Sequence, residues 1–181
     1  MNILICGLGN PGAQYSKNRH NVGFRMLDFI ASRMDVCFSE SKKFLGYIAI
    51  KKCAEVTYIL LKPQTYMNLS GQSVVSVRKF YNISLDHIWI VHDDIDIDFG
   101  DVRFKKGGGN AGHNGLKSID AYIGKDYHRI RIGIGRPACR EDVANYVLSN
   151  FSKNEDVEGV MVKTWIRLCD TLGYKSNEDC L

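Results

Sequence analysis

The short apolar segment Asn2–Cys6 stops abruptly at Gly7-Leu8-Gly9-Asn10-Pro11-Gly12. A buried strand that ends in a sharp glycine turn constrains this fold more than any other feature, because α/β proteins place their sites at such strand ends. Helical spacing resumes only over Asn21–Met34, where Val22, Leu27, Ile30, Ala31 and Met34 share a face. The alternation then continues. Phe44–Lys51 and Val56–Leu61 read as two hairpin strands across the polar Lys52–Glu55 stretch. Ser70 is placed to cap a helix that runs to about Tyr81. Ile88–Val91 is a buried strand ending in the polar cluster His92-Asp93-Asp94. Val102–Lys105 is a short strand broken by Gly107-Gly108-Gly109, and Gly115–Ile123 is a helix. Arg129–Gly135 alternates isoleucines with basic residues and glycine, the pattern of a half-buried strand. Helices near Glu141–Leu148 and Glu155–Leu172 follow, and from Gly173 the chain is polar and expected to be loosely held. The expected fold is α/β: a single domain over residues 1–181 with a mixed, twisted β-sheet flanked by helices.

Composition excludes several classes. Hydrophobic residues at 45% and charged residues at 24% rule out disorder and coiled coil. No apolar run approaches the roughly 20 residues of a membrane helix. The opening apolar segment lacks a basic leader and is too short for a signal peptide, so a cytoplasmic location is expected. The cysteines 6, 37, 53, 139, 169 and 180 are then reduced thiols, and none pair at C-x-x-C spacing, which argues against a zinc ribbon or thioredoxin-type site. Charge is uneven: residues 103–140 hold nine basic and two acidic side chains. That concentration makes a polyanion a plausible partner, unless Asp96, Asp98 and the acidic C-terminal stretch neutralise it on folding.

Four segments carry candidate chemistry. Gly7–Gly12 matches G-x-G-x-x-G, the dinucleotide fingerprint, but a polar stretch from Gln14 to Asn21 intervenes where a helix should open. A histidine in that stretch, His20, can take a proton near neutral pH, or can simply be a surface residue. Asn68, just ahead of a helix, is either capping chemistry or a carboxamide able to donate to an oxyanion. Asp93 can orient a histidine and raise its basicity, or serve as a turn residue; histidines with carboxylates could also suit zinc or iron, though no H-x-x-x-H or H-x-x-E pairing supports a metal. Lys105–Gly115 places five glycines among nine residues after two lysines, leaving main-chain N–H groups open to an anion, or forming a flexible hairpin. Without a nucleophile elbow or a cysteine beside a base, a hydrolase built on these residues would use activated water.

Together, GLGNPGAQYSKNRHNVG (residues 7–23), KPQTYMNLSG (62–71), HDDIDIDFG (92–100) and KKGGGNAGHNGLKSI (105–119) resemble the bacterial peptidyl-tRNA hydrolase family. RIRIGIGRP (129–137) and NYVLSNF (145–151) extend the resemblance over residues 2 to about 172. It implies a monomeric α/β enzyme, without cofactor or metal, that cleaves the ester between peptide and tRNA to recycle tRNA. By motif it implies His20 as catalytic base and Asp93 as its orienting partner. It further implies Asn10, Asn68 and Asn114 as carboxamides holding the peptide end and the reacting centre, with His113 supporting the site. Lys105 and Arg131 match basic positions that clamp a tRNA phosphate, and Tyr15 and Tyr66 are expected as pocket walls near the tRNA terminus. Two positions depart from the family pattern: Asn18 stands where Thr is usual, and Asp98 where proline is common. Two other classes stay open on the residues: an RNA-binding module without turnover, and a dehydrogenase resting on the glycine fingerprint.

Overall fold

A computed structural model describes residues 1–139 and 142–175. Seven strands form one sheet in the order β2-β3-β4-β1-β5-β7-β6. They are β1 (Asn2–Gly7), β2 (Ser39–Ser41), β3 (Gly46–Cys53), β4 (Val56–Pro63), β5 (Ile88–Asp94), β6 (Val102–Lys106) and β7 (His128–Gly133). The central β4-β1-β5-β7 pairs are parallel, and β2-β3, β3-β4 and β6-β7 are antiparallel. The sheet is therefore mixed, as expected. Helices α1 (Val22–Arg33), α2 (Ser70–Tyr81), α3 (Asn114–Ile123), α4 (Val143–Val147) and α5 (Val157–Leu172) complete the fold.

Alternation along the strands divides the core into two layers. Ile3 and Ile5 of β1, Tyr58 and Leu60 of β4 and Trp89 and Val91 of β5 pack with α1 and α5. Leu4 and Cys6, Ile59 and Leu61, and Ile88 and Ile90 face the other way onto α2 and α3. Burial of the Cys6 thiol on that second face pushes its pKa far up, so it stays a protonated small hydrophobe.

Local differences from the sequence reading have physical causes. Ser70 does not cap α2; it is the first residue of the helix, and its hydroxyl donates back to the Met67 carbonyl of a preceding 3₁₀ turn, Met67–Leu69. β7 is not half-buried: Arg129 and Ile130 are both sequestered, because the strand is paired on both edges and Arg129 finds acceptors inside. His92-Asp93-Asp94 lies within β5 rather than after it, and all three are buried. β2 is three residues long and carries no apolar pattern, so nothing in its composition announces it. The helix expected at Glu141–Leu148 is described only as Val143–Val147, since residues 140–141 lie outside the described residues, as does Cys180. No described helix is long and apolar enough to cross a membrane.

Two glycines decide where the site forms. A Cβ on Gly7 would sit 2.2 Å from the Gly23 carbonyl oxygen, and a Cβ on Gly23 would sit 2.5 Å from the Leu8 nitrogen and 2.6 Å from the Val91 oxygen. The first turn of α1 thus rests backbone to backbone on the C-terminal ends of β1 and β5. The chain between them cannot open a dinucleotide-type helix. It winds through two 3₁₀ turns, Ala13–Tyr15 and Arg19–Asn21, which rules out the arrangement the glycine fingerprint requires.

Candidate active site

The turn Arg19–Asn21 delivers His20 to the end of β5. His20 Nδ1 lies 2.9 Å from both carboxylate oxygens of Asp93. His113 reaches the same carboxylate from α3, its Nε2 2.9 Å from Asp93 Oδ1. The His113 tautomer follows from its other nitrogen. As the N-cap of α3, Nδ1 accepts from the N–H groups of Gly115 (3.1 Å) and Leu116 (3.4 Å), so Nε2 carries the proton and donates to Asp93. The two imidazoles are tilted against each other at 4.9 Å.

Asp93 is 3% exposed, and its ionisation is set by its neighbours. Burial alone would raise its pKa, but the His20 and His113 rings and their hydrogen bonds bring it well below the usual carboxylate range. The reciprocal effect acts on His20. Burial lowers its pKa, and the Asp93 charge and hydrogen bond more than offset this, leaving it above the ordinary histidine value. With Nδ1 committed to Asp93, Nε2 is the ring nitrogen left for chemistry.

His92 completes a cluster of three imidazoles. Its Nδ1 donates to the Asp93 carbonyl at 2.8 Å, its Nε2 is buried without a partner, and it stands edge-on to His113 at 5.2 Å. Burial, and then the nearby His113, lower its pKa to about 3. The unfolded chain therefore takes up this proton first, and stability falls as pH drops from about 6.5 toward about 3, by up to about 1.4 kcal/mol per pH unit. His20, whose folded pKa is raised, acts in the opposite sense: its contribution is full below about 6.5 and is lost as pH rises through its folded value. Urea unfolding of wild type and His92→Asn at pH 7 and pH 5 checks this. The His92 contribution disappears in the variant, so its stability falls less on acidification; an equal loss in both proteins contradicts the assignment.

Two adjoining cavities meet at His20. One, about 360 Å³, is lined by His92, Asp93, His113, Asn114 and the α4 residues Val143 and Val147, among others. The other, about 600 Å³, is lined by Asn10, Tyr66, Asn68 and Leu69 and shares Asn114 and α4 with the first. The fold thus assembles His20, Asp93, Asn10, Asn68, Asn114, His113 and Tyr66 around one cleft. Asn10 Oδ1 accepts from the Met67 N–H at 2.9 Å, which joins the glycine turn to the Asn68 turn. Tyr15 lines neither cavity. Lys105 and Arg131 stand apart on the β6–β7 edge, where the register Arg103↔Arg131 and Lys105↔Arg129 puts four basic side chains on one sheet face. Arg131 is not free there, since its Nε donates to Asp94 Oδ2 at 2.8 Å. The Asp98 carbonyl accepts from the Asp101 N–H.

The glycine loop is held rather than loose. Arg129 donates to the carbonyls of Gly109 (2.6 Å) and Gly108 (2.9 Å), and its Nη2 is 3.4 Å from Asp120, which also accepts from Asn110 and Tyr127. Sequence reasoning missed Arg129 because its buried guanidinium looks like one more surface cation. An arginine two residues from Arg131 on the same strand face was the available signal.

Among the described residues, His20, Asp93 and His113 could bring three ligand atoms within 4.8 Å of one another. The His113 nitrogen facing the carboxylate carries a proton, because its Nδ1 accepts from two backbone N–H groups, so it donates to Asp93. His20, Asp93 and His113 thus form one hydrogen-bonded chain.

Comparison with known proteins bears on the family and the fold. The profile of the family described as peptidyl-tRNA hydrolase matches residues 4–176. A peptidyl-tRNA hydrolase of Rickettsia bellii is 56% identical over 155 residues, covering 86% of this chain and 84% of its own. One from Rickettsia prowazekii is 54% identical over 153 residues, 84% of this chain and 83% of its own. The crystal structure of peptidyl-tRNA hydrolase from Acinetobacter baumannii superposes with a TM-score of 0.86 at 40% identity, covering 94% of this chain and 90% of that one. A matching profile across nearly the whole sequence, together with relatives of this identity and a shared fold, means that the chain belongs to the peptidyl-tRNA hydrolase family.

Proposed function

We propose that this protein hydrolyses the ester that joins a peptide to tRNA, releasing both for reuse in translation, with His20 activating the attacking water. The observation that carries the reading is the 2.9 Å contact of His20 Nδ1 with both Asp93 oxygens, in a cleft that His20 lines on two sides. Asp93 fixes the tautomer so that Nε2 is the basic nitrogen, as in a triad without its serine. An ester supplies a good leaving group, so water can attack directly once a base takes its proton. Asn10, Asn68 and Asn114 supply carboxamide groups at the cleft, and a donor aimed at the developing oxyanion is worth about 3–4 kcal/mol. His113 donates to Oδ1 of the same Asp93 carboxylate, beside the His20 ring. Tyr66, 60% exposed at the rim, offers a ring face for a terminal base. Tyr15 is left as an outer contact for tRNA beyond the cavities. No metal or cofactor takes part in this scheme. Because His20 and Asp93 come from one chain, a monomer suffices, and a substrate made by ribosomes places the reaction in the cytoplasm.

The exposed Lys105 and the ion-paired Arg131 serve as the phosphate grip. Lys105→Ala with Arg131→Ala weakens binding of uncharged tRNA and reduces the slope of log K against log salt by about 2 units if each meets one phosphate. Filter-binding titrations across salt measure this, and an unaltered slope removes both residues from the grip. The direct test of function is release of tRNA from N-acetyl-phenylalanyl-tRNA by the purified protein; no release at substrate saturation overturns the proposal.

A further inference from the structure

Arg19, the residue before His20, is 8% exposed. Its guanidinium meets Glu155 in a fork, Nη1 to Oε1 at 2.6 Å and Nη2 to Oε2 at 3.0 Å. The same guanidinium lies over two rings, 4.6 Å from the centre of Tyr146 and 4.9 Å from that of Phe151. Glu155 is itself fixed, because Oε2 also accepts from the Ser152 N–H at 2.6 Å. The backbone repeats the attachment: the Arg19 N–H donates to the Ser149 carbonyl, and Asn18 forms a bridge with Asn150. Asn18, the departure from the family pattern noted above, is thus accommodated in the attachment itself.

Two further contacts give this cluster a direction. On the far side of the turn, Asn21 closes a pair of hydrogen bonds with the Asn10 backbone, at 3.0 and 2.9 Å. His20 is therefore gripped between two clamps, one to the glycine turn and one to the C-terminal part of the chain. The second clamp includes Tyr146 of α4, the helix whose Ala144 and Val147 line both cavities. An exposed ion pair would contribute little. A half-buried, bidentate pair whose guanidinium also lies over two rings defines an orientation, because the planar fork accepts few alternatives.

We propose that Arg19 and Glu155 are positioning residues that lock the turn bearing His20 to the wall of the cleft, so that substrate held against α4 and the base that acts on it move as one unit. Neither residue touches the reacting atoms. Arg19 shares a three-residue 3₁₀ turn with His20, so slack in its side chain becomes misalignment of the imidazole.

This inference rests on His20 being the base, and the experiment separates the two. Glu155→Gln and Arg19→Lys are made in the full chain. Each is assayed with N-acetyl-phenylalanyl-tRNA and by amide hydrogen exchange over residues 18–22. Each substitution lowers kcat about tenfold and changes KM by less than about twofold. Exchange over residues 18–22 rises, and the pH midpoint of kcat/KM stays at the wild-type value because Asp93 still holds Nδ1. The double variant is no worse than the poorer single one, as expected of a coupled pair. Should Glu155→Gln fold poorly, Arg19→Lys, which keeps the charge and loses the fork, carries the test. A kcat within about twofold of wild type overturns the proposal. So does a kcat loss without faster exchange, or a change that falls mainly on KM. If His20→Ala turns over normally, the base assignment fails on its own, and the exchange data still decide whether the latch exists.

Discussion

Alanine in place of His20 lowers kcat for N-blocked aminoacyl-tRNA by about 10²–10⁴ while leaving tRNA affinity close to wild type. Among the described residues, the cleft offers no second base in the same position. His113 Nδ1 is occupied by two backbone donors and its Nε2 carries a proton. The unpartnered nitrogen of His92 is buried, and its low pKa makes it a weak base. Loss of the His20 imidazole therefore removes proton acceptance from water, whereas the basic face of β6 and β7 stays intact. Single-turnover rates and tRNA binding measured on the same preparation distinguish the two effects. Turnover near the wild-type rate would take His20 out of the reaction.

Asp93→Asn is the second large effect, and it has a signature in pH. The carboxylate accepts from both His20 and His113; a carboxamide has only one accepting atom and turns an N–H toward a ring that needs an acceptor. The relief is for His20 to move its proton to Nε2, the nitrogen that should be basic, at a cost of about 10³–10⁴ in kcat. The residual activity titrates differently. In the wild type the working, neutral form of His20 appears as pH rises through a pKa above 6.5, so kcat/KM climbs with a midpoint above that value. With the Asp93 charge gone, burial acts alone and the midpoint falls below 6.5. A variant whose midpoint stays where the wild type has it would show that Asp93 does not govern this titration.

How far the sequence could be read depends on the range of the interactions involved. β1, the β3–β4 hairpin, α1, α2 and α5 follow from local periodicity and turn residues, since each buries one side of its own pattern. β2 and the burial of β7 do not: β2 is a short polar segment recognisable only by its pairing with β3, and the burial of β7 is imposed by β5, a partner distant in sequence. In the site, the pairing of His20 with Asp93 was legible only through the resemblance of several motifs taken together; 73 positions separate the two residues, and no spacing rule connects them. The double use of Asp93 by a second imidazole and the anchoring of the glycine loop by Arg129 were not legible, because each is a tertiary contact whose residue type is unremarkable in isolation. The latch at Arg19 belongs to the same group.

The contact between Gly7 and Gly23 leaves no room for even a methyl group, yet neither residue has a functional group to offer. The distance between base and carboxylate is in this sense gauged by two hydrogen atoms well removed from the bond being broken. A conservative exchange to alanine at either place would act as a shim under the first helix, silencing the chemistry while every reacting side chain remained present.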